Sequence, residues 1–440
     1  MGVRTGQEYI DRLAASSPTI EIGGERVTSN IPEHPAFRNV VNTYAQLYDL
    51  QHSEPEVLTY ESPTSGEPVG TSFLVPRTHE DLVTRRSGFK RWADHSLGTL
   101  GRTGDYLNSA LMALSEAQGY FAQADPAFGE NARRYYEKVR EEDLLTTHTL
   151  IPPQANRSVG AAQQVDGRTL GAHVVSEDDN GIVIRGARML ATIGPTADEL
   201  LVFPSTVLKG TPEDAPYSFA FAISCDAPGL RFVCREGMDH GRSHFDHPLA
   251  SRFEEMDALV VFDDVHVPWE RVFMHGHPQL CNTFYADTSA VVHMTHQVAT
   301  RTTAKTEAIL GLISLMTEAI GIEKFQHVQE DVAETIVALE VLKGLVRAAE
   351  ADIAGPAAGD IEDYLQSAAR SGPERVRLFR LAWDLSISAF GGRQTLYEYY
   401  FFGDPVRMAG ALVGSYDREP YKERINEFLH RMDVEVPATA

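Results

Sequence analysis

Arg102 and Tyr106 stand four residues apart in the stretch Gly101-Arg-Thr-Gly-Asp-Tyr-Leu-Asn-Ser109. With that segment helical, the spacing sets a permanent cation and a phenol on one face. Thr147-His148 follows, and then the run Pro152-Pro-Gln-Ala-Asn-Arg-Ser158. An arginine, a tyrosine and a histidine together can hold a phenolic oxygen and favour its phenolate, which makes the attached ring electron-rich. Taken alone, the Arg102/Tyr106 pair is more often an ordinary helix surface.

The elements that must position these residues follow from periodicity. Residues 1–150 read mostly as helix and loop. Thr78-His-Glu-Asp81 has the form of a capping box, opening a helix that carries Leu82, Val83, Phe89 and Trp92. Tyr106 to Ala122 and Phe128 to Arg140 are helical in pattern. The middle of the chain changes period. Gly181–Arg185, Glu199–Phe203, Ser218–Ile223, Leu230–Cys234 and Ala258–Phe262 are short β-rich runs punctuated by Gly, Pro, Asp and Asn. From about His293 the helical period returns. Phe325, Val328, Val332, Ile336, Leu339, Leu342, Val346 and Ile353 form an apolar stripe of the kind that fills a bundle core, and Arg375 to Phe390 supplies another helix. The expected division is an N-terminal mainly helical domain (1–150), a central β domain (151–282) and a C-terminal helical bundle (283–440).

The chain has 440 residues, 43% of them hydrophobic, and a net charge of −23. That length buries a large core. A polyanion of this size repels nucleic-acid phosphate and anionic membranes. Cys225, Cys234 and Cys281 have neither disulfide-framework nor metal-knuckle spacing, which suits a reducing cytoplasm. The first twenty residues have no signal-peptide core, and Gly6 stands where a myristoylation pattern wants Ser or Thr. No apolar run is long enough for a membrane span. No Gly-x-Gly-x-x-Gly follows a strand and no P-loop occurs, so no Rossmann nicotinamide site is signalled.

Several separated segments resemble, in order, the 4-hydroxyphenylacetate 3-hydroxylase family. They are Arg4-Thr-Gly-Gln-Glu-Tyr9, His34-Pro-Ala-Phe-Arg-Asn39, the Gly101–Tyr106 and Gln154–Ser158 segments, Ala187-Arg-Met-Leu-Ala-Thr192, Phe262–Val272 and Phe390-Gly-Gly-Arg-Gln394. The resemblance implies an α+β, acyl-CoA dehydrogenase-like fold with flavin between the β domain and the helical bundle. It implies the oxygenase half of a two-component system, using FAD as FADH2 in preference to FMN, molecular oxygen as co-substrate and a separate NAD(P)H-flavin reductase. A flavin C4a-hydroperoxide would hydroxylate a phenol or related electron-rich arene ortho to its heteroatom. Hydroxylation, dehalogenation, denitration and N-oxidation all stay open, as does a free or carrier-tethered substrate.

By the same resemblance, Arg102, Tyr106 and His148 surround the substrate hydroxyl, with His148 accepting its proton near neutral pH and also touching the cofactor. Gln154, Ala155, Asn156, Arg157, Thr192, Gly391, Gly392, Arg393 and Gln394 match flavin-contacting positions. Gly391-Gly392 fits a helix C-cap equally well. Ser205 and Thr206 match the place where the substrate's polar tail is held, and after Pro204 they also suit a turn. The resemblance also implies a homodimer or homotetramer. Between Ile353 and Asp360 the chain is shorter than the family habit, which leaves the oligomer contacts and one pocket wall open.

His240, His244, Asp246 and His247 form the densest ligand-like cluster, yet no metal is expected there, nor at His293 and His296. Two rivals share the fold. A hydroxyacyl-CoA dehydratase needs thiolates to hold a cluster where Arg102 and Tyr106 stand. An acyl-CoA dehydrogenase-like flavoenzyme needs a carboxylate base and tightly held flavin.

Overall fold

The structure is a computed structural model that describes residues 2–27, 30–153, 155–156, 159, 164, 170–204, 208, 210–238, 244–245, 247–353 and 405–431. Its contacts divide the chain into two compact units, residues 1–75 with 83–301, and residues 76–82 with 302–440.

The early helices are α1 (Gly6–Ala15), α2 (Arg38–Ser53), α3 (Pro55–Leu58), α4 (His79–His95), α5 (Gly104–Glu116), α6 (Gln118–Phe121) and α7 (Pro126–Glu141). The expected cap of α4 is present: the Asp81 amide donates to Thr78 Oγ1 at 3.1 Å and the Thr78 amide to Asp81 Oδ2 at 2.8 Å. The Arg4–Tyr9 segment is structural. Thr5 and Glu8 form a capping box on α1, and a Cβ at Gly6 would lie 2.4 Å from the Ala45 carbonyl oxygen. Arg4 reaches Tyr48 and Asp198, and the other oxygen contact of Asp198 Oδ2 is the Leu145 amide at 2.8 Å. That network pins the chain entering the strand that carries His148.

The strands are β1 (Thr19–Ile22), β2 (Glu25–Val27), β3 (Thr59–Glu61), β4 (Pro68–Gly70), β5 (Thr146–Thr149), β6 (His173–Asp178), β7 (Gly181–Thr192), β8 (Glu199–Val202), β9 (Phe219–Ser224), β10 (Leu230–Cys234), β11 (Asp257–Pro268) and β12 (Val272–His275). They form a six-stranded sheet in the order β2-β1-β10-β11-β7-β6, a four-stranded sheet β12-β9-β8-β5 and a two-stranded ribbon β3-β4. All five β-rich runs read from the sequence are strands. β7 and β11 each reach twelve residues, with bulges in their pairing. The first 150 residues also contribute strands: β1 pairs in parallel with β10, and β5 in parallel with β8. Thr146-Thr-His-Thr149 is buried throughout and shows no apolar alternation, which is why periodicity missed it.

The two large sheets meet face to face. Phe221 of β9 lies edge-on to Phe262 of β11 at 6.2 Å, and Phe219, Phe221 and Phe232 are fully buried. Each such ring contributes about 2 kcal/mol by leaving water. Gly186 has φ +114, and a Cβ there would meet the Gly171 carbonyl oxygen at 2.4 Å, so a side chain is barred where β7 passes that loop.

The remaining helices are α8 (Ala250–Phe253), α9 (Pro278–Asp287), α10 (Ala290–Ala319), α11 (Gln326–Ile353), α12 (Pro405–Ser415) and α13 (Glu419–His430). In the second unit, Leu310, Val328, Val332, Ile336, Leu339 and Val413 form a buried cluster. Phe325, expected in that stripe, is instead 55% exposed, because it precedes the first turn of α11. The helix expected over Arg375 to Phe390 lies outside the described residues.

Candidate active site

Arg102 is not on a helix. α5 begins at Gly104, with Thr103 as its N-cap. The i,i+4 face expected for Arg102 and Tyr106 is therefore corrected, and the cause is distant in sequence. The Glu255 carboxylate accepts the Gly101 amide at 2.7 Å and the Arg102 amide at 2.5 Å, while the Tyr44 hydroxyl donates to the Arg102 carbonyl at 3.1 Å. So held, the guanidinium stacks over the Tyr106 ring, 4.5 Å from its centre. Arg102 forms no ion pair with a carboxylate among the described residues.

Asp105 anchors the next turn. It is fully buried, accepts Thr103 Oγ1 at 2.6 Å, and takes two contacts from Gln297 of α10 at 3.1 and 3.2 Å. Burial pushes its carboxyl up to about 6 against those hydrogen bonds. Its effect is to tie the start of α5 to the helix that lines the site.

His148 projects from β5 opposite Leu201, and its neighbours Thr147 and Thr149 donate to the carbonyls of Thr192 and Met189 on β7. Alternation along the strand turns His148 away from β7. Its ring lies 5.9 Å from Tyr106 and 5.6 Å from Phe203, and neither ring nitrogen has a hydrogen-bond partner among the described residues. Burial first, and the Arg102 charge second, hold its pKa down to about 3. Enclosure disfavours the cation, so His148 is held as the neutral imidazole, the form that can accept a proton.

Tyr106, His148, Leu150, Tyr285, Val291, Met294, Thr295 and Val298 line one cavity of about 340 Å³, at the small end for organic ligands. No acidic side chain is among them. The Tyr106 and Tyr285 hydroxyls, like the His148 nitrogens, lack hydrogen-bond partners among the described residues. These polar atoms border an otherwise apolar cavity, where a ligand oxygen can pair with them. Tyr285 carried no sequence signal, since an isolated tyrosine in a helix pattern reads as core.

Just after β5, Ile151 bridges to Met189, and Ile151, Met189 and Leu190 are 48%, 38% and 51% exposed. This apolar shelf ends at Thr192, whose hydroxyl donates to Asp257 at 2.8 Å. The Asn156 amide donates to Gln164 at 2.9 Å. Such a shelf fits the flat face of an aromatic cofactor. Of the other expected contacts, Ala155 and Asn156 are exposed, while Gln154, Arg157, Ser205, Thr206 and Gly391 to Gln394 lie outside the described residues. His240 and Asp246 lie outside them too. His244 contacts Ser251 Oγ at 2.7 Å, His293 contacts Arg85 at 3.2 Å, and His296 lies edge-on to Phe89.

The family model for the 4-hydroxyphenylacetate 3-hydroxylase N terminal matches residues 5–274, and that for the C terminal matches residues 281–354 and 348–430. The chain belongs to the 4-hydroxyphenylacetate 3-hydroxylase family. It is 45% identical to a 4-hydroxyphenylacetate 3-monooxygenase oxygenase component from Geobacillus sp. (strain PA-9), over 100% of this chain and 99% of that one. It is 46% identical to the component of the same name from Thermus thermophilus, over 97% of each. A crystal structure of such an oxygenase component, complexed with FAD and 4-hydroxyphenylacetate, superposes with a TM-score of 0.74 at 46% identity, covering 97% of this chain and 98% of that chain. The α+β, acyl-CoA dehydrogenase-like fold is thus that of the hydroxylase family. The Geobacillus alignment spans 490 positions against 440 residues here, so about 50 have no counterpart in this chain. The two stretches of the C-terminal match meet at residues 348–354, beside the segment read as shortened.

Proposed function

We propose that this hydroxylase-family chain binds reduced FAD and hydroxylates a phenol ortho to its hydroxyl group, with 4-hydroxyphenylacetate as the first substrate to test. The observation that carries this reading is the cavity where Tyr106 and His148 present unpaired polar atoms beside the unpaired Arg102 cation. When bound, reduced flavin with molecular oxygen supplies the electrophilic oxygen atom. The residues of this chain prepare the ring to receive it.

Arg102 stabilises the phenolate by charge, and Tyr106 donates a hydrogen bond to the same oxygen. His148 takes the phenolic proton as the phenolate forms beside it, since the new anion offsets the penalty that burial places on the imidazolium. Leu150, Val291, Met294 and Val298 exclude water from the ring. Ile151, Met189, Leu190 and Thr192 offer a face to the flavin, with Gln154 to Arg157 and Gly391 to Gln394 completing its site and His148 at the border. Ser205 and Thr206 hold the substrate's polar tail.

An oxygenase component works with a separate reductase, and this chain has no dinucleotide fingerprint of its own. NADH alone should give no turnover, whereas NADH, FAD and an unrelated flavin reductase should give hydroxylated phenol. Turnover by the purified chain with NADH alone would defeat the two-component reading. The contest with an acyl-CoA dehydrogenase-like role is decided by the same assay, since that enzyme needs no reductase and hydroxylates no phenol.

The assembly we propose is a homo-oligomer, with a dimer more firmly supported than a tetramer because the C-terminal region is shortened. Leu312 and Met316 on α10, Ile320 just beyond its end, and Val337, Val341 and Leu345 on α11 are exposed apolar side chains at four-residue spacing. Sedimentation should show no stable monomer at micromolar concentration, and a monomer that still binds FAD would overturn this assignment. No helix among the described residues is long and apolar enough to cross a membrane. The free thiols of Cys225, Cys234 and Cys281 support a cytoplasmic location.

A further inference from the structure

Arg188 lies on β7, between the two sheets, and is 1% exposed. Its guanidinium carbon stands 4.8 Å from the centre of the Phe219 ring, Nη1 donates to the Leu150 carbonyl, and Nε has no partner. No carboxylate pairs with it among the described residues. The titratable groups that act on it are the Cys281 thiol and the Tyr285 phenol. Burial keeps both neutral, pushing Cys281 up to about 12 and Tyr285 well above its ordinary value. Burial also draws Arg188 down to about 10, which leaves it charged at neutral pH. A buried cation without a counter-ion costs several kcal/mol, so an anion that arrives beside it is strongly favoured.

The cavity is where that anion can arrive. Leu150, whose carbonyl Arg188 holds, and Tyr285, on which its charge acts, both line it. Phe284 at 5.0 Å and Phe203 at 6.1 Å, both at 87°, fix the Tyr285 ring edge-on. Its hydroxyl has no hydrogen-bond partner among the described residues, and the Tyr106 phenol opposes its ionisation. His148 and Tyr285 pack against the same Phe203 ring, at 5.6 and 6.1 Å.

We propose that Arg188 and Tyr285 form a second positioning pair: Tyr285 donates a hydrogen bond to the phenolate oxygen of the aromatic substrate, and the buried Arg188 cation behind it stabilises that anion. The inference rests on the cavity being the phenol site. A phenolate oxygen accepts several hydrogen bonds, so Tyr285 adds to Tyr106 and His148 without displacing them.

The test uses the full chain with FAD and 4-hydroxyphenylacetate isotopically labelled at the oxygen-bearing ring carbon, whose NMR shift reports ionisation. In the parent protein the bound phenol titrates below its solution value. Arg188→Met and Tyr285→Phe should each raise that value by about one unit and weaken binding about tenfold. Phenylacetate, which has no phenol, should bind all variants alike, and Arg188→Lys should restore most of the parent behaviour. If Arg188→Met fails to fold, Tyr285→Phe carries the test, since it keeps the ring and removes one hydroxyl. Parent-like titration in the folded variants overturns the pair. Equal weakening of phenylacetate and 4-hydroxyphenylacetate also overturns it, by assigning the charge to the carboxylate tail. A bound phenol that titrates as in solution in the parent itself defeats the phenol-site reading, and the pair with it.

Discussion

His148→Ala is expected to lower hydroxylation by about 10²–10⁴-fold while oxidation of reduced flavin continues, releasing hydrogen peroxide in place of product. The imidazole nitrogens are unpaired and face the cavity, so removing the ring deletes the proton acceptor and leaves the apolar walls standing. Product yield per flavin oxidised is the measurement that separates this from loss of cofactor binding. Unchanged yield would remove His148 from the proton-transfer role, and loss of FAD affinity would move it to the cofactor site.

The same residue makes a pH prediction. Its folded pKa, about 3, lies below the ordinary histidine value, so the folded state binds fewer protons than the unfolded chain between those limits. Stability from this group is present above pH 6.5 and drains away as pH falls toward 3. His148→Ala should therefore lose less stability than the parent on acidification through that window, as read from denaturant midpoints. Equal acid sensitivity would mean that His148 is not held neutral.

Arg102→Ala should reduce hydroxylation by about 10²-fold or more at neutral pH and move the optimum upward, to where the phenol ionises unaided. The guanidinium is positioned by the Glu255 carboxylate clamp on its backbone and stacked on Tyr106, with no direct ion pair to its side chain among the described residues. Arg102→Lys should recover only part of the rate, because a point charge on a flexible stem replaces a planar, stacked one. Tyr106→Phe removes one hydrogen bond and keeps the stacking surface, so a loss near tenfold is expected. Rate profiles against pH check all three, and an optimum that stays put in Arg102→Ala would argue against phenolate stabilisation.

Family membership was legible in the chain. Five strands could be read because Val, Ile, Leu and Phe cluster between turn residues, a local signal. β5 could not, since Thr146-Thr-His-Thr149 earns its place by burial against β7 and β8 and not by its own pattern. The pairing of β1 with β10 was equally hidden, because it joins residues more than two hundred positions apart.

Within the site the division has the same cause. Sequence alone determined which residue types are present: a cation, a phenol and an imidazole at positions matching a known family. Tertiary structure alone decided their states. Glu255, 153 residues from Arg102, takes it off the helix and stacks it on Tyr106. Enclosure beside Phe203 and Tyr106 strips the charge from His148. Arg188, in the sequence one charged residue among many, becomes a buried cation behind the cavity wall because two sheets close over it. Spacing along the chain reports neighbours within a turn or a strand, whereas pKa, ion pairing and ligand space depend on what folding brings from far away.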